Sequence, residues 1–214
     1  IIGEPTSMRI VEGHKGCFEY TTEFTGLNWH GSSPDKGVNA VGYAARYATR
    51  LMELSEELKT RAPGNSRFEP PWTTVNLGRI AGGDAHNVIA GHCRLDWEMR
   101  PIQTSDAGMV CEAIDAYAKT VLEPAMHAVS PDTGIIRHVI GEIAGLEPAD
   151  DNEALRIVAA LTGAQGAELV PFGTEAGLFQ ALGMSCVVCG PGSIDQAHKP
   201  DEYVSREQLG TCLK

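Results

Sequence analysis

Residues 73–100, TTVNLGRIAGGDAHNVIAGHCRLDWEMR, place two strand candidates directly one after the other. TTVNLGRIAGG and HCRLDWEMR are the strand-like segments, and the short loop GDAHNVIAG joins them without an intervening helix. Upstream, CFEYTTEFTG at 17–26 alternates apolar and polar residues as a half-buried strand does. Downstream, GIIRHVIGEIAGL at 134–146 is predicted to be a fourth strand.

Two long helices are predicted, one on each side of this pair of strands. The first runs from Asn39 to Lys59, and the second from Ser105 to Met126 with Ser105 as its N-cap. The apolar stripe expected on the first helix comprises Val41, Ala44, Ala45, Ala48, Leu51, Met52 and Leu58. The resulting order of strand, helix, strand, strand, helix, strand is the split βαβ arrangement of ferredoxin-like domains.

Helices and strands alternate after EPADDNEA. Asn152 to Leu161 and TEAGLFQAL are predicted helices, and AELVPF and MSCVVCG are predicted strands. This alternation indicates part of an α/β sheet. The loop CGPGSIDQAHKPDEYV at 189–204 follows the last strand, and ligands of α/β sheets collect in such loops. His198 lies in this loop, although a lone loop histidine is more often only solvated.

Composition excludes several classes of function. The net charge of −11, from 17 basic and 28 acidic residues, disfavours a nucleic-acid surface. No apolar run approaches the roughly 18 residues of a membrane span. Six dispersed cysteines in a chain of 214 residues are typical of reduced thiols. We therefore expect a soluble, cytoplasmic protein with no nucleic-acid or membrane partner.

Cys186 and Cys189 form a C-x-x-C motif that could indicate zinc or redox chemistry. SCVVCG is predicted to be a strand, in which residues three apart point to opposite faces. No second C-x-x-C completes a zinc ribbon. We interpret both thiols as structural.

Five motifs carry a resemblance to a known family: GEPT at 3–6, WHGSSPDKGVNA at 29–40, NVIAG at 87–91, TEAGLFQ at 174–180 and CGPGSIDQAHKPDEYV at 189–204. In this order, over nearly the whole chain, they resemble the M20 family of zinc-dependent aminoacylases and peptidases. The resemblance implies a catalytic α/β domain interrupted by a lid domain that forms dimers. The implied fold class is α+β (α/β), with a ferredoxin-like βαββαβ lid inserted in a partial zinc-peptidase-like domain. The implied boundaries are 1–13 and 149–214 for the catalytic segments and 14–148 for the lid.

The resemblance also implies a metal site with two zinc ions, or Co²⁺ as the alternative. Glu4 matches a ligand of one ion and His198 a ligand of the other. Glu202 matches a residue that supports His198 from behind. His30 matches the lid histidine that reaches the active site of the other subunit of a homodimer and stabilises the oxyanion.

Four further residues match positions that contact the small-molecule substrate. Asn87 and Arg100 lie in the lid, and a guanidinium suits a carboxylate because the two groups form paired hydrogen bonds. Gly173 and Thr174 precede a predicted helix, whose N-terminal amides bind oxygens.

Simpler interpretations remain open for several of these residues. Glu4 alone is typical of a surface acid, and His30 could cap the turn SSPD. Asn87 could shape a turn between strands, and Arg100 could be an exposed charge on an edge strand. Five histidines have no motif support and are interpreted as structural or solvated: His14, His86, His92, His127 and His138.

One departure from the family is large. Its His-x-Asp pair, its bridging aspartate and its catalytic Glu-Glu pair belong to a region before GEPT and have no counterpart in this sequence. The only Glu-Glu here, Glu56-Glu57, falls on the exposed side of a predicted helix. Since hydrolysis in the family requires that glutamate and the metals, we expect this chain to be the C-terminal part of the enzyme and inactive alone.

The activity implied by the resemblance is hydrolysis of N-acetyl-L-ornithine to L-ornithine and acetate, in arginine biosynthesis. Two alternatives within the family are desuccinylation of succinyl-diaminopimelate and carboxypeptidase activity. An alternative from another class is a noncatalytic dimerisation and binding module.

Overall fold

The computed structural model describes residues 1–214. The chain forms two compact units, which alternate along the sequence. The terminal unit comprises Ile1–Cys17, Asn65–Glu69 and Ile143–Lys214, and the inserted unit comprises Phe18–Gly64 and Pro70–Glu142. The family resemblance implies domain boundaries at 13/14 and 148/149. In the structure, the chain passes from the terminal to the inserted unit at 17/18 and returns at 142/143. No helix has both the length and the apolar character needed to cross a bilayer.

Strands and helices are numbered in chain order. The strands are β1 (Val11–His14), β2 (Cys17–Thr25), β3 (Trp29–His30), β4 (Thr74–Gly82), β5 (Val88–Ile89), β6 (His92–Arg100), β7 (Gly134–Ile143) and β8 (Glu168–Val170). The helices are α1 (Ala40–Thr60), α2 (Thr104–Tyr117), α3 (Glu123–His127), α4 (Glu153–Thr162), α5 (Ala176–Ala181) and α6 (Arg206–Cys212). A π-helical segment, Ala118–Leu122, joins α2 to α3.

The inserted unit is a four-stranded sheet with strand order β4-β6-β2-β7. β6 pairs antiparallel with both neighbours, from Phe18–Met99 to Thr25–His92 on one side and along β4 on the other. With α1 between β2 and β4, and α2 between β6 and β7, the order is βαββαβ. The predicted ferredoxin-like fold is confirmed.

The core of the inserted unit lies between the sheet and its helices. Tyr20 and Trp97 stack with ring centroids 4.5 Å apart. The Trp97 indole N–H donates to Thr22 Oγ1 at 3.0 Å, so its polar atom is satisfied within the core. Helix α1 buries Ala40, Ala44, Tyr47, Ala48, Leu51, Leu54 and Leu58.

The predicted stripe on α1 is wrong at two positions, Ala45 and Met52. Met52 is 52% exposed and Ala45 is exposed, whereas Tyr47 and Leu54 are buried and were not predicted. Val41 is half-buried and packs against the core, as predicted. The reason is that the buried face follows the residues that meet the sheet, and Tyr47 reaches Phe24 with its ring edge at a centroid distance of 5.4 Å.

The start of α2 also differs from the prediction. The N-cap is Gln103, and Ser105 lies inside the first turn, so the predicted Ser105 cap is wrong. Asp106 lies in the first turn, and its buried carboxylate accepts from Thr73 Oγ1 at 2.5 Å and from Arg61 Nε at 2.9 Å. These bonds fix the first turn to two other segments of the inserted unit.

The terminal unit contains the parallel pair β1–β8. Val188 forms isolated bridges to Ile2 and Val11. Its extended segment does not pair over enough residues to form a strand. Cys186 packs with Val11 and Val188 in one apolar cluster, and Cys189 packs with Ile10 and Val187 in another. Their opposite faces agree with the prediction for C-x-x-C, and all six cysteines are free thiols.

Helix α4 begins at a cap that serves two segments of the terminal unit. Asn152 is buried, and its side-chain oxygen accepts from the Leu155 amide at 3.0 Å. Its side-chain amide donates to the Cys186 carbonyl at 2.9 Å. One residue therefore caps the helix and anchors the extended segment.

Candidate active site

Glu4 and the loop of His198 are carried by neighbouring backbone segments of the terminal unit. The Cys189 amide donates to the Ile2 carbonyl at 2.9 Å. A Cβ at Gly190 would lie 2.6 Å from the Glu4 carbonyl oxygen, so only glycine permits this approach. Thr6 and Ser193 form a further bridge. The structure therefore brings Glu4 beside the beginning of the loop that carries His198.

His198 is exposed and has a φ of 60°, in the left-handed region that a residue with a side chain seldom adopts. Asp201 has a φ of 59° in the same loop. Such backbone outliers cluster at functional sites. The outlier at His198 is consistent with a loop shaped to present its side chain.

Glu202 contacts His198 differently from the expected support of the imidazole. Its Oε2 atom accepts from the His198 backbone N–H at 3.3 Å. Glu202 therefore stabilises the loop backbone rather than the imidazole.

Glu4 and His198 fit a zinc ion by the chemistry of their donors. Carboxylate oxygen and imidazole nitrogen are both common zinc ligands. Glu4 is half-buried, which leaves its carboxylate less than fully solvated. Zinc sites use three or four ligands, so these two residues provide part of a site.

His30 and Asn87 lie together in the inserted unit. The two-residue strands β3 and β5 pair Trp29 with Ile89 and His30 with Val88. The Gly31 amide donates to the Asn87 carbonyl at 2.8 Å. Both His30 and Asn87 are exposed, so their side chains are accessible from solvent.

The tautomer of His30 follows from its neighbours. Its Nδ1 atom accepts the Ser32 backbone N–H at 3.2 Å and lies 2.7 Å from the Ser32 hydroxyl. Because a backbone N–H can only donate, Nδ1 of the neutral ring carries no proton and Nε2 does. His30 therefore organises the turn at Ser32 and also presents an N–H donor to solvent.

Arg100 lies at the opposite end of β6 from this pair. It is the last residue of β6, whereas β5 ends three residues before the first residue of that strand. Eight steps along a strand span roughly 26 Å. Arg100 is half-buried and forms an ion pair with Glu98 at 2.6 Å. Within one inserted unit, the structure does not bring Arg100 to His30 and Asn87.

Gly173 and Thr174 precede α5 in the terminal unit, as predicted. Gly173 is exposed, and the buried Thr174 hydroxyl accepts the Ala176 amide at 3.1 Å. That hydroxyl also lies 2.9 Å from Nε2 of His14. His14 is a residue that sequence reasoning missed at this site, because 160 residues separate it from Thr174 and no motif joins them.

Burial lowers the pKa of His14, whereas the backbone contact with Lys15 and the negative charge of Glu175 oppose that shift. Removing an imidazole from water disfavours its charged form. His14 is 1% exposed, so the neutral ring is the form that the fold favours near neutral pH.

The chain is an α/β unit whose sequence is interrupted by a βαββαβ unit, and loops of the α/β unit carry a carboxylate and an imidazole. These features place it in the class of α/β proteins with an inserted ferredoxin-like domain. Residues 12–126 match the M20 peptidase dimerisation domain. The chain belongs to the M20 peptidase family.

Relatives with known names support this placement. The chain is 37% identical to an acetylornithine deacetylase of Proteus mirabilis, over 100% of this chain and 55% of that protein. It is 37% identical to one of Myxococcus xanthus, over 99% of this chain and 54% of that protein. The chain therefore spans about half the length of the curated relatives it matches.

Solved structures show the same fold. A putative aminohydrolase from methicillin resistant Staphylococcus aureus superposes with a TM-score of 0.70 at 16% identity, over 99% of this chain and 53% of that one. The aminopeptidase PepT from Bacillus cereus gives a TM-score of 0.63 at 18% identity, over 89% of this chain and 47% of that one.

Proposed function

We propose that this chain is part of a metal-dependent amide hydrolase that converts N-acetyl-L-ornithine to L-ornithine and acetate. The observation that carries the proposal is the 37% identity to an acetylornithine deacetylase along 100% of the chain. The reaction belongs to arginine biosynthesis, and we place it in the cytoplasm. Desuccinylation of succinyl-diaminopimelate, carboxypeptidase activity and a noncatalytic binding role are the competing outcomes of the tests below.

Glu4 and His198 are proposed to hold the metal, one donor to each of two zinc ions. Zinc, when bound, would polarise the substrate carbonyl and make water more acidic. The close packing of Gly190 against Glu4 fixes the backbone that supports the first donor. Glu202 holds the backbone amide of His198 and so restrains the loop of the second.

His30 is proposed to stabilise the oxyanion through its Nε2–H group. Ser32 occupies Nδ1, which leaves Nε2 as a donor, and a fixed donor near developing negative charge lowers a barrier to acyl transfer. Asn87 lies beside it and is proposed to contact the same substrate.

Arg100 is proposed to bind the substrate carboxylate, while Gly173 and Thr174 contact the rest of the substrate. Since β6 separates Arg100 from His30 by most of its length, one small substrate cannot contact both within one subunit. The separation supports a homodimer in which His30 and Asn87 come from one subunit and Arg100 from the other.

The role of His30 can be tested in the whole protein that contains this chain. We expect His30→Asn to reduce kcat by about 10²- to 10³-fold with little change in KM, because the oxyanion donor is lost. Steady-state hydrolysis of N-acetyl-L-ornithine with zinc measures this. His127→Asn is the matched control, since His127 lies on α3 and not on an edge strand, and its Nε2 atom contacts the Thr133 carbonyl oxygen at 2.9 Å.

Parallel assays decide between the competing functions. Faster turnover of succinyl-diaminopimelate than of N-acetyl-L-ornithine would contradict the proposed substrate, and no turnover of any N-acyl amino acid would favour the binding module. The 214-residue chain alone is expected to show no hydrolysis and little retained zinc after dialysis. Turnover by this chain near the rate of the whole protein would overturn the assignment of metal ligands.

A further inference from the structure

The end of β1 is connected to the loop before α5 by a buried polar contact. His14 Nε2 and Thr174 Oγ1 lie 2.9 Å apart, and the two residues are 1% and 6% exposed. Buried polar groups need partners, and these two side chains satisfy each other inside the terminal unit. Neither the metal ligands nor the proposed lid contacts involve His14.

The direction of this hydrogen bond is determined by the other ring nitrogen. His14 Nδ1 lies 2.9 Å from the Lys15 carbonyl oxygen, which can only accept, so Nδ1 carries the proton. The Leu146 amide also approaches Nδ1, but at 3.5 Å it is too distant to reverse this assignment. Nε2 of the neutral ring is therefore an acceptor, and the Thr174 hydroxyl donates to it.

The Thr174 hydroxyl then has one acceptor position left and no proton to offer. Its proton points to His14, and one lone pair accepts the Ala176 amide at 3.1 Å. The remaining lone pair can accept only from a donor such as an amide N–H or an ammonium group.

Close backbone packing holds the partners in place. A Cβ at Gly177 would lie 2.2 Å from the Ala144 carbonyl oxygen, and one at Gly145 would lie 2.8 Å from the His14 carbonyl oxygen. The two glycines let α5, the 144–145 segment and the end of β1 approach to backbone contact. The imidazole consequently has a fixed frame on which to orient Thr174.

We propose that His14 is a positioning residue that fixes the Thr174 hydroxyl as an acceptor, so that Thr174 recognises an N–H donor of the substrate rather than its carboxylate. The inference rests on the proposed function, in which Thr174 contacts the substrate. His14 itself touches no substrate and acts through Thr174.

Two substitutions in the whole protein distinguish the role of Nε2 of His14 from the role of its Nδ1. His14→Gln places an amide oxygen where Nε2 accepts from Thr174, and His14→Asn places an amide N–H where Nδ1 donates to Lys15. We expect His14→Asn to lower kcat/KM for N-acetyl-L-ornithine roughly tenfold, as for one lost hydrogen bond, and His14→Gln to remain within about twofold of wild type. In a Thr174→Val background, His14→Asn should cause no further loss.

The reverse order of the two variants would overturn the proposal, because it would assign the role to the Lys15 contact. An equal loss from His14→Asn with and without Thr174→Val would also overturn it and indicate a purely structural histidine. Wild-type kcat/KM in Thr174→Val would show that the hydroxyl does not recognise the substrate.

A second readout does not depend on turnover. In the whole protein labelled with ¹⁵N at histidine rings, we expect the His14 signal, assigned by its loss in His14→Gln, to show the Nδ1–H tautomer. An Nε2–H tautomer would overturn the assigned direction even if no hydrolysis were detected. The failure of the proposed function and the failure of this inference are therefore distinguishable.

Discussion

Opposite tautomers are imposed on two histidines of this chain by their backbone neighbours. Ser32 donates to Nδ1 of His30 and leaves the proton on Nε2, whereas the Lys15 carbonyl draws the proton of His14 to Nδ1. His30 therefore presents a donor and His14 an acceptor. A neutral histidine carries one ring proton, and the neighbouring backbone groups decide which of its two ring nitrogens holds that proton.

The buried, neutral His14 predicts a dependence of stability on pH. Burial lowers the pKa of His14 in the folded protein, so below about pH 6.5 the unfolded chain binds more protons than the folded one. The stabilisation is complete above that pH and is lost as the pH falls through the folded pKa, with the nearby Glu175 charge reducing the effect. Thermal unfolding of the whole protein from pH 7.5 to 5 measures it.

His14→Gln is the control for this titration, because glutamine has no proton to gain in that range. We expect wild type to lose more thermal stability between pH 7 and 5 than His14→Gln does. Equal losses in the two proteins would show that His14 contributes nothing to the acid sensitivity.

Asn152 is predicted to contribute more than an ordinary helix cap. Asn152→Ala removes both the bond from the Leu155 amide and the bond to the buried Cys186 carbonyl, so we expect a destabilisation of about 2 kcal/mol. The matched control is Asn39→Ala, which removes one exposed cap contact with Gly42, and we expect about 1 kcal/mol or less. Chemical denaturation compares the two, and equal effects would contradict a role for the Cys186 bond.

At the scale of elements, helix α1 shows what a periodic pattern predicts. Its bounds, Ala40–Thr60, agree with the predicted Asn39 to Lys59 within one residue, and Asn39 is the N-cap. The pattern also placed Glu56 and Glu57 on the exposed side correctly. It failed at Met52, because hydrophobicity gives the period of a helix while the packing partner decides which apolar residue is covered.

The substitutions Leu51→Ala and Met52→Ala test this difference directly. Leu51 is fully buried in the core of the inserted unit, so we expect its truncation to cost about 2–5 kcal/mol of unfolding free energy. Met52 is 52% exposed, and we expect a change within about 0.5 kcal/mol. Urea denaturation measures both changes. Comparable losses of unfolding free energy at the two positions would support the predicted stripe and contradict the observed burial.

At the scale of the whole molecule, the proposed homodimer can be tested at the edges of the four-stranded sheet. β4 and β7 are the edge strands, with Ile80 51% exposed on the first and Ile140 63% exposed on the second. Apolar edge strands readily pair with another chain. We expect Ile80→Lys or Ile140→Lys to convert the whole protein from dimer to monomer, as measured by light scattering after size exclusion.

Thr49→Lys is the control for added charge, since Thr49 is exposed on α1 and does not belong to an edge strand. A dimer that survives both edge substitutions would contradict pairing through the sheet. A monomeric wild type would contradict the homodimer itself.

The sequence by itself determined the βαββαβ order of the inserted unit and the motif residues, but it wrongly predicted a strand at MSCVVCG, where the structure has only isolated bridges. Strand alternation, helix period and glycine-rich loops are local properties that neighbouring residues specify. Only the tertiary structure decided that Glu4 lies beside Gly190, that β6 separates Arg100 from His30, and that His14 meets Thr174. These relations join residues far apart in the chain, and they arise from sheet order and backbone packing, which no local pattern encodes.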